Sequence, residues 1–251
     1  MNEIMAFLAG LLALVPGLGA APEPSWNGYV EADYVYVGAP SAGTIETVVA
    51  REGQAVKAGE VLFVPGAAGG IGSAAVELGK AMGAHVVVAA STNDKVQFAL
   101  ELGADNGLIY PAGQMDQAAQ KELSGEIKLA CGRDGADVVL DGVGGDYAEP
   151  ALRAMDWNGR YLVVGFPAGI PAFPLNLTLL KSVSVIGVFW GAHAEREPDL
   201  HRANMADLLR LYSEGRIKPR ISKRFRFEDA GDAIKALGDR TALGKIVVEI
   251  E

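Results

Sequence analysis

The chain has very few residues of the kinds that bind zinc or form disulfides. Its 251 residues include one cysteine, Cys131, and three scattered histidines, His85, His193 and His201. A single cysteine excludes an intrachain disulfide, and these four residues cannot form a four-cysteine structural zinc site. They also argue against a catalytic zinc, which usually needs three protein ligands. We therefore expect metal-free chemistry.

Basic residues are also scarce relative to acidic ones. There are 22 Lys and Arg against 31 Asp and Glu, which gives a formal net charge of −9. This balance disfavours a nucleic-acid partner or an anionic membrane surface. A local basic pocket for a phosphate remains compatible with it.

The N-terminus carries an apolar run that is too short for a typical transmembrane span. Residues 1–21 resemble a signal segment, with apolar residues over 4–20 and small residues at Ala20 and Ala21. However, no Lys or Arg precedes the apolar run, which a signal peptide would usually have. Two interpretations stay open: an export or membrane-anchor signal through residues 4–20, or a buried amphipathic segment.

Two patterns of apolar residues divide the rest of the chain. Residues 22–60 contain short Val- and Tyr-rich stretches separated by glycines, which predicts a small β module. From residue 61 onward, helical patterns separate short apolar runs: VLFV (61–64), HVVVAA (85–90), LIY (108–110), ADVVLD (136–141), RYLVVG (160–165) and SVSVIGVFW (182–190). Strands that are apolar on both faces and alternate with helices predict an α/β fold with a doubly wound parallel sheet.

The same pattern predicts the helices and the domain boundaries. We expect helices at 70–82, 93–102, 115–130, 146–155 and 198–214, the last ending at Gly215. The tail predicts a strand at 221–227, a helix at 228–238 and a strand at 244–250. The predicted domains are a signal-like segment (1–21), the β module (22–60), the parallel-sheet domain (61–215) and a C-terminal strand-helix-strand unit (216–251).

The stretch VLFVPGAAGGIGSAAVELGKAMGA (61–84) carries the strongest functional motif. Its glycines at 66, 69 and 72 lie between a predicted strand and a predicted helix. Glycines in that position permit a tight turn, close approach of the backbone to a pyrophosphate, and close packing of helix on strand. The helix N-terminus adds free N–H groups for the phosphates. An ordinary glycine turn is the alternative, but this context favours a dinucleotide-binding Rossmann sheet.

The end of the second strand indicates which dinucleotide is preferred. NAD-preferring sites usually carry an Asp or Glu there, whereas this chain has ASTNDK at 90–95. The hydroxyl of Ser91 and the ammonium of Lys95 suit a 2′-phosphate, which an acid at the strand tip would repel. Alternatively, Ser91 is a helix N-cap and Lys95 is solvated. The negative charge of Asp94 also disfavours a phosphate nearby. We predict NADPH in preference to NADH.

From about Val61 to the C-terminus, the chain resembles the medium-chain dehydrogenase/reductase superfamily, in particular its zinc-free NADPH:quinone oxidoreductase branch. The resemblance lies in GAAGGIGSAAVELGKAMGA, ELGAD, GADVVLDGVGGD, NGRYLVVGF, SVSVIGVFWG and ALGKIVVEI, in that order. It implies hydride transfer from NADPH to a quinone or another α,β-unsaturated carbonyl, with the cofactor supplying the chemistry. It also implies a homodimer that pairs through the SVIGVFW strand. No acid or base is convincingly visible, so we assign no catalytic residue.

The resemblance further implies a set of cofactor-contacting residues. The residues of the glycine-rich turn would lie at the pyrophosphate: Gly66, Gly69, Gly70, Ile71 and Gly72. Those around the adenosine 2′-phosphate would be Ser91, Lys95 and Tyr110. Those near the ribose and nicotinamide would be Gly142, Val143, Gly165, Phe166, Phe189, Trp190 and Gly191. Purely structural roles stay open for some of them: Phe189 and Trp190 as core residues, and Tyr110 as a packing residue.

The N-terminal part departs from that family, whose members begin with a large substrate-binding barrel. Only about 60 residues precede the glycine motif here. Residues 1–63 instead resemble the start of periplasmic adaptor (membrane-fusion) proteins, including half of a biotinyl/lipoyl-like module. The two resemblances meet at the strand 61–64, which fits both patterns.

Three functions are therefore compatible with the sequence. The first is an NADPH-dependent oxidoreductase that transfers hydride to a small quinone or α,β-unsaturated carbonyl, with its activity either impaired by the missing barrel or not. The second is an NADPH-binding module without turnover, and the third is an adaptor or transport component anchored by its N-terminus. Because NADPH chemistry is cytoplasmic, we expect a cytoplasmic location, with anchoring or export as the alternative. We also expect the C-terminal strand 244–250 either to pair with residues 29–63 or to fray, and an exposed strand edge would promote aggregation.

Overall fold

The structure of the protein is a computed structural model that describes residues 56–132, 134–239 and 241–250. The predicted signal-like segment and nearly all of the predicted β module lie outside the described residues. Among the described residues, no helix has both the length and the apolar character needed to cross a membrane.

Six parallel strands form the main sheet. They are β1 (Val61–Pro65), β2 (His85–Ala90), β3 (Asn106–Ile109), β4 (Ala136–Asp141), β5 (Met155–Val163) and β6 (Ser184–Gly187), in the spatial order β3-β2-β1-β4-β5-β6. This is the strand order of a doubly wound Rossmann sheet, so the fold class predicted from the sequence is confirmed. The strand order reverses between β1 and β4, and ligands bind such sheets at the carboxyl ends of the strands beside that switch.

The strand 61–64, at which the two family resemblances meet, belongs to this sheet. β1 pairs in parallel with β2 through Val61↔His85 and with β4 through Leu62↔Val138. The segment VLFV is therefore the first strand of the parallel sheet.

The core lies on both faces of the central strands, as the apolar runs predict. Leu62 and Val64 belong to a buried cluster with Val76. Phe63 points to the opposite face, where it belongs to a second cluster with Leu152.

The helices of the described residues largely follow the predicted ones. They are α1 (Gly70–Ala81), α2 (Asn93–Glu101), α3 (Gln117–Cys131), α4 (Ala148–Arg153), α5 (Asn176–Lys181), α6 (Trp190–Arg196), α7 (Pro198–Ser213) and α8 (Ala230–Gly238). Helix α4 is shorter than predicted, because the turn Gly145–Tyr147 before it is a 3-10 helix. Helices α5 and α6 were not predicted, since each has fewer than eight residues and shows little periodicity.

The predicted strand 182–190 is wrong at both ends. β6 covers only Ser184–Gly187, and Trp190 begins α6. Gly187 pairs with Val163, the last residue of β5, so the ladder has no further partner there. A continuous apolar run does not by itself distinguish a strand from a buried helix, which explains the error. Two other strands also differ: β5 begins at Met155 rather than 160, and β3 ends at Ile109.

The C-terminal segment forms a small sheet of its own. β7 (Ile221–Arg226) pairs in parallel with β8 (Lys245–Glu249), and α8 connects them. The predicted partner of the last strand, residues 29–63, lies mostly outside the described residues, so that pairing stays a prediction. The sheet is tied to the glycine turn, because Gly244 N donates to Ala68 O at 2.7 Å.

Candidate cofactor-binding site

The glycine-rich segment after β1 makes a tight turn at the carboxyl end of the sheet. Gly66 has a φ of +68°, which favours glycine. A Cβ on Gly72 would lie 2.4 Å from the carbonyl oxygen of Gly66, so no larger residue fits there. Gly66 N and Ala67 N donate to Ala89 O at 2.9 and 3.3 Å, which fixes the turn against the end of β2. Both glycines therefore act as the motif predicts.

The N-terminus of α1 is exposed next to this turn. Gly69 and Gly70 are exposed, and the first turn of α1 contains no acidic residue. The ammonium of Lys245 lies 3.9 Å from where a Cβ on Gly70 would be. Free N–H groups and a cation thus lie side by side, which suits an anion such as a pyrophosphate. Lys245 was not a predicted site residue, because the sequence pattern shows only a strand at this point.

Ser91 and Lys95 lie together at the tip of β2. Lys95 Nζ donates to Ser91 Oγ at 3.3 Å, and both side chains are half-buried. The N-cap of α2 is Thr92, whose Oγ1 accepts from Lys95 N at 3.4 Å. The alternative that Ser91 caps the helix is therefore wrong, and its hydroxyl is directed to Lys95 instead. Asp94 is exposed in the first turn of α2.

A cleft of about 230 Å³ joins these features. Six of the predicted residues line it, together with neighbouring alanines and part of the C-terminal unit: Gly66, Gly69, Gly70, Ser91, Lys95 and Tyr110, with Ala68, Ala90, Leu237, Ala242 and Gly244. The β7-α8-β8 unit thus forms one wall of the cleft, a contribution that was not predicted. Tyr110 also packs against Tyr147, with ring centroids 4.6 Å apart, so it both packs and lines the cleft.

Four further predicted residues follow β4 and β5 at the same edge of the sheet. A Cβ on Gly66 would lie 2.7 Å from Val143 Cγ2, and one on Gly142 would lie 3.9 Å from Ile71 Cγ2. The segment after β4 is therefore in contact with the glycine turn and α1. Gly165 N donates to Asp141 O at 3.3 Å, which places Gly165 and Phe166 beside that segment.

Phe189, Trp190 and Gly191 lie apart from the cleft, where β6 leads into α6. Phe189 is 56% exposed and Trp190 is 50% exposed, so the alternative that they are core residues is wrong. Trp190 instead contacts His201 of α7, with ring centroids 5.0 Å apart.

Asp141 and Tyr161 form a buried pair that the sequence pattern did not single out. Tyr161 Oη donates to Asp141 Oδ2 at 2.7 Å, and Asp141 Oδ1 accepts from the backbone N–H groups of Val143 and Gly144. Burial, followed by the negative charge of Asp141 and the hydrogen bond to it, raises the pKa of Tyr161 well above its ordinary value. The hydroxyl therefore stays protonated and donates. Only the three-dimensional pairing of β4 with β5 brings these two residues together.

Within the described residues, no group of three or more His, Cys, Asp or Glu side chains is arranged to hold a metal ion. The arrangement instead offers an anion site at α1 and a cation with a hydroxyl at the tip of β2. Such a site fits a nicotinamide dinucleotide.

Comparisons with known proteins agree with this fold. The family described as zinc-binding dehydrogenase matches residues 70–206. Quinone oxidoreductase-like protein 2 of Bos taurus is 34% identical over 195 residues, which cover 77% of this chain and 54% of that protein. Acryloyl-coenzyme A reductase of Sulfurisphaera tokodaii is 27% identical over 201 residues, covering 79% of this chain and 53% of that protein.

A solved structure gives the same result. The quinone oxidoreductase of Thermus thermophilus, also solved in complex with NADPH, is 32% identical with a TM-score of 0.63. The match covers 77% of this chain and 59% of that chain. The chain spans about half the length of the curated relatives it matches. The family match covers more than half of the chain. The chain therefore belongs to the medium-chain dehydrogenase/reductases, which the family description calls zinc-binding dehydrogenases, and within them to the quinone oxidoreductase branch, which is zinc-free.

Proposed function

We propose that this chain binds NADPH in the cleft and presents its hydride to a small quinone or another α,β-unsaturated carbonyl. The observation that carries the proposal is the contact between Ser91 and Lys95 beside the glycine turn. A 2′-phosphate there accepts hydrogen bonds from both groups, and hydrogen bonds to an ionised acceptor are stronger than those between neutral groups. Ala90 ends β2 where an NAD-preferring site usually carries an acid, so no carboxylate at that position repels the phosphate.

The pyrophosphate is bound, in this proposal, by the N-terminus of α1 and by Lys245. Gly69 and Gly70 have no side chains to cover the start of α1, where the first N–H groups of a helix have no partner within the helix, and the helix dipole favours negative charge at this end. Lys245 adds a full positive charge beside the same turn. Its contribution is independent of the 2′-phosphate, so it serves NADH and NADPH alike.

The nicotinamide end is then directed toward the segments that follow β4 and β5. NADPH, when bound, supplies the hydride, so the protein needs only to orient the ring and exclude water. Val143 lies against Gly66 of the glycine turn, and Phe166 lies against Gly144, the residue after Val143. We assign no acid or base to these residues.

The test is a fluorescence titration of purified protein with NADPH and NADH. We expect tighter binding of NADPH, and we expect Lys95→Ala to weaken NADPH binding about tenfold, since a hydrogen bond to a charged group contributes about 1.5–3 kcal/mol. Binding of NADH should change less than about twofold. Lys121→Ala, which removes an exposed lysine of α3, is the control and should leave both affinities unchanged. Failure to bind either nucleotide would contradict the proposal.

A binding module without turnover is the second candidate function. It is favoured by the lining of the cleft, whose described residues include no His, Asp or Glu side chain that could act as an acid or base. Absorbance at 340 nm with 1,4-benzoquinone distinguishes the two, because only the oxidoreductase consumes NADPH. The homodimer stays a prediction that the position of β6 at the sheet edge supports. The cytoplasmic location, the membrane association through residues 4–20 and the adaptor-like N-terminus also stay predictions.

A further inference from the structure

The segments that follow β4 and β5 are in direct backbone contact. Residues 142–145 and 165–169 exchange two hydrogen bonds, Gly145 N to Gly169 O at 2.7 Å and Ala168 N to Val143 O at 2.9 Å. A Cβ on Gly144 would lie 2.5 Å from Phe166 Cβ, so no side chain separates the two segments. They therefore form one unit beside the glycine turn.

Asp141 is bonded to both segments. Its carbonyl oxygen accepts from Val164 N at 2.8 Å and from Gly165 N at 3.3 Å. Its Oδ1 accepts from Val143 N at 2.8 Å and from Gly144 N at 2.9 Å. One residue at the end of β4 thus determines where both segments leave the sheet.

The orientation of the Asp141 carboxylate depends on Tyr161. Asp141 is 1% exposed, and among the described residues no Lys or Arg forms an ion pair with it. A buried carboxylate needs donors, and the hydroxyl of Tyr161 is the donor to Oδ2 at 2.7 Å. The Tyr161 ring is itself buried and meets Phe173 edge-on, at a centroid distance of 5.1 Å. The ring therefore has one well-defined position from which to donate.

We propose that Asp141 and Tyr161 are positioning residues for the nicotinamide half of the cofactor. Tyr161 orients the carboxylate, the carboxylate holds residues 142–145, and these hold Val143 against Gly66. This inference rests on the proposed function, because residues 142–145 are there assigned to the nicotinamide side. The adenosine half, bound at Ser91 and Lys95, does not depend on this pair.

The experiment compares NADPH with 2′,5′-ADP, which is its adenosine half, by isothermal titration calorimetry. With Tyr161→Phe we expect NADPH binding to weaken about fivefold, while 2′,5′-ADP binding stays within about twofold. Asp141→Asn should retain NADPH binding within about threefold, because the amide oxygen still accepts from both N–H groups and the amide nitrogen donates to the Tyr161 hydroxyl. Tyr212→Phe, which changes an exposed tyrosine of α7, is the matched control.

Hydrogen exchange of the folded variants provides a readout that needs no nucleotide. In Tyr161→Phe the amides of residues 142–145 and 165–169 should exchange faster, while the amides of β1 and β2 should not change. An equal loss of both ligands, or unchanged exchange in the two segments, would overturn the inference. If the wild type binds neither ligand, the proposed function fails, whereas the exchange data still decide whether the pair holds the segments.

A second variant keeps the test available if Tyr161→Phe does not fold. In the double variant Asp141→Asn with Tyr161→Phe, no buried charge lacks a donor, so the penalty for an unpaired carboxylate is avoided. The tyrosine hydroxyl is nevertheless absent, and the same selective loss of NADPH binding is expected. Wild-type behaviour of the double variant would overturn the role of Tyr161.

Discussion

Glu60 and Arg160 lie 100 residues apart in the sequence and form a two-point ion pair. Arg160 Nη1 is 3.1 Å from Glu60 Oε1, and Nη2 is 2.7 Å from Oε2. The side chains are only 13% and 17% exposed, which sets this pair apart from the exposed ion pairs of the chain. It joins β5 to the turn before β1, at the opposite end of β1 from the cofactor cleft.

This pair should contribute to stability in a pH-dependent way. Burial alone would raise the pKa of Glu60, but the hydrogen bond from Arg160, the backbone N–H of Lys57 and the charges of both residues lower it below its ordinary value. Because the pKa is lower in the folded protein, the contribution is complete above the unfolded pKa, about 4.3, and is lost as the pH falls through the folded pKa. At neutral pH, we expect Glu60→Gln to lower the free energy of unfolding by about 2 kcal/mol.

Urea denaturation at pH 7 and at pH 3 measures this effect. The difference between wild type and Glu60→Gln should shrink at pH 3, because part of the contribution of the ion pair is lost once the pH is below the unfolded pKa of about 4.3. Glu249→Gln is the control, because Glu249 pairs with Arg224 at 2.6 Å in an exposed position and should cost less than about 1 kcal/mol. Equal effects of the two substitutions would contradict the prediction.

The close approach at Gly72 makes a second prediction. Gly72→Ala would place a Cβ 2.4 Å from the carbonyl oxygen of Gly66, so the turn must move. We expect a loss of stability of about 2–3 kcal/mol and no measurable nucleotide binding. Gly125→Ala is the matched control: a Cβ there has no neighbour within 4 Å, and the residue lies inside α3. Alanine should stabilise that helix by about 0.5–1 kcal/mol, as measured by thermal denaturation.

The features that could be predicted from the sequence are those that local pattern determines. β2 and β4 have the predicted bounds, and α1, α2 and α7 end within one residue of the predicted positions. Apolar runs, glycines and helix caps determine these bounds over a few residues, so a local pattern is enough to predict them. The end of β6 depends on where its neighbour β5 ends, which no local pattern contains. The same reason explains why Lys245 and Asp141 were missed. Asp141 meets Tyr161 through the pairing of β4 with β5, and Lys245 lies beside the glycine turn because Gly244 N donates to Ala68 O.

Lys245 provides a third prediction, which separates its role from that of Lys95. Its ammonium lies beside the N-terminus of α1, where we propose that the pyrophosphate of either cofactor binds. Lys245→Ala should therefore weaken NADPH and NADH binding by the same factor, about fivefold to tenfold. Titration of each variant with each nucleotide measures this, with Lys223→Ala of β7 as the control. A loss confined to NADPH would instead assign Lys245 to the 2′-phosphate.

Cys131 should be unreactive in the folded protein. Burial, together with the negative charge of Asp137, raises the pKa of the thiol to about 12. At pH 8 the thiolate fraction is then about one in ten thousand, and the thiolate is the reactive form. We expect reaction with Ellman's reagent to be at least about a hundredfold slower for the folded protein than in 6 M guanidinium chloride. Rapid labelling of the folded protein at pH 8 would contradict this. Because the chain has one cysteine, the labelled fraction reports on this site alone.

The tip of β2 should determine cofactor preference, and a single substitution there should change it. Ser91→Asp places a carboxylate where NAD-preferring sites carry one, so it repels the 2′-phosphate and accepts from the ribose hydroxyls. It also pairs with Lys95, whose ammonium already contacts this side chain at 3.3 Å, and so withdraws that cation from the phosphate. We expect NADPH binding to weaken by at least about tenfold and NADH binding to strengthen severalfold.

Ser182→Asp adds the same charge in an exposed turn after α5 and is the control for net charge. Its Kd values for both nucleotides should match those of the wild type. If Ser91→Asp weakens NADH as much as NADPH, the carboxylate has damaged the cleft rather than changed its selectivity. If it changes neither, the adenosine ribose does not lie at the tip of β2, and the cofactor orientation proposed for this cleft is wrong.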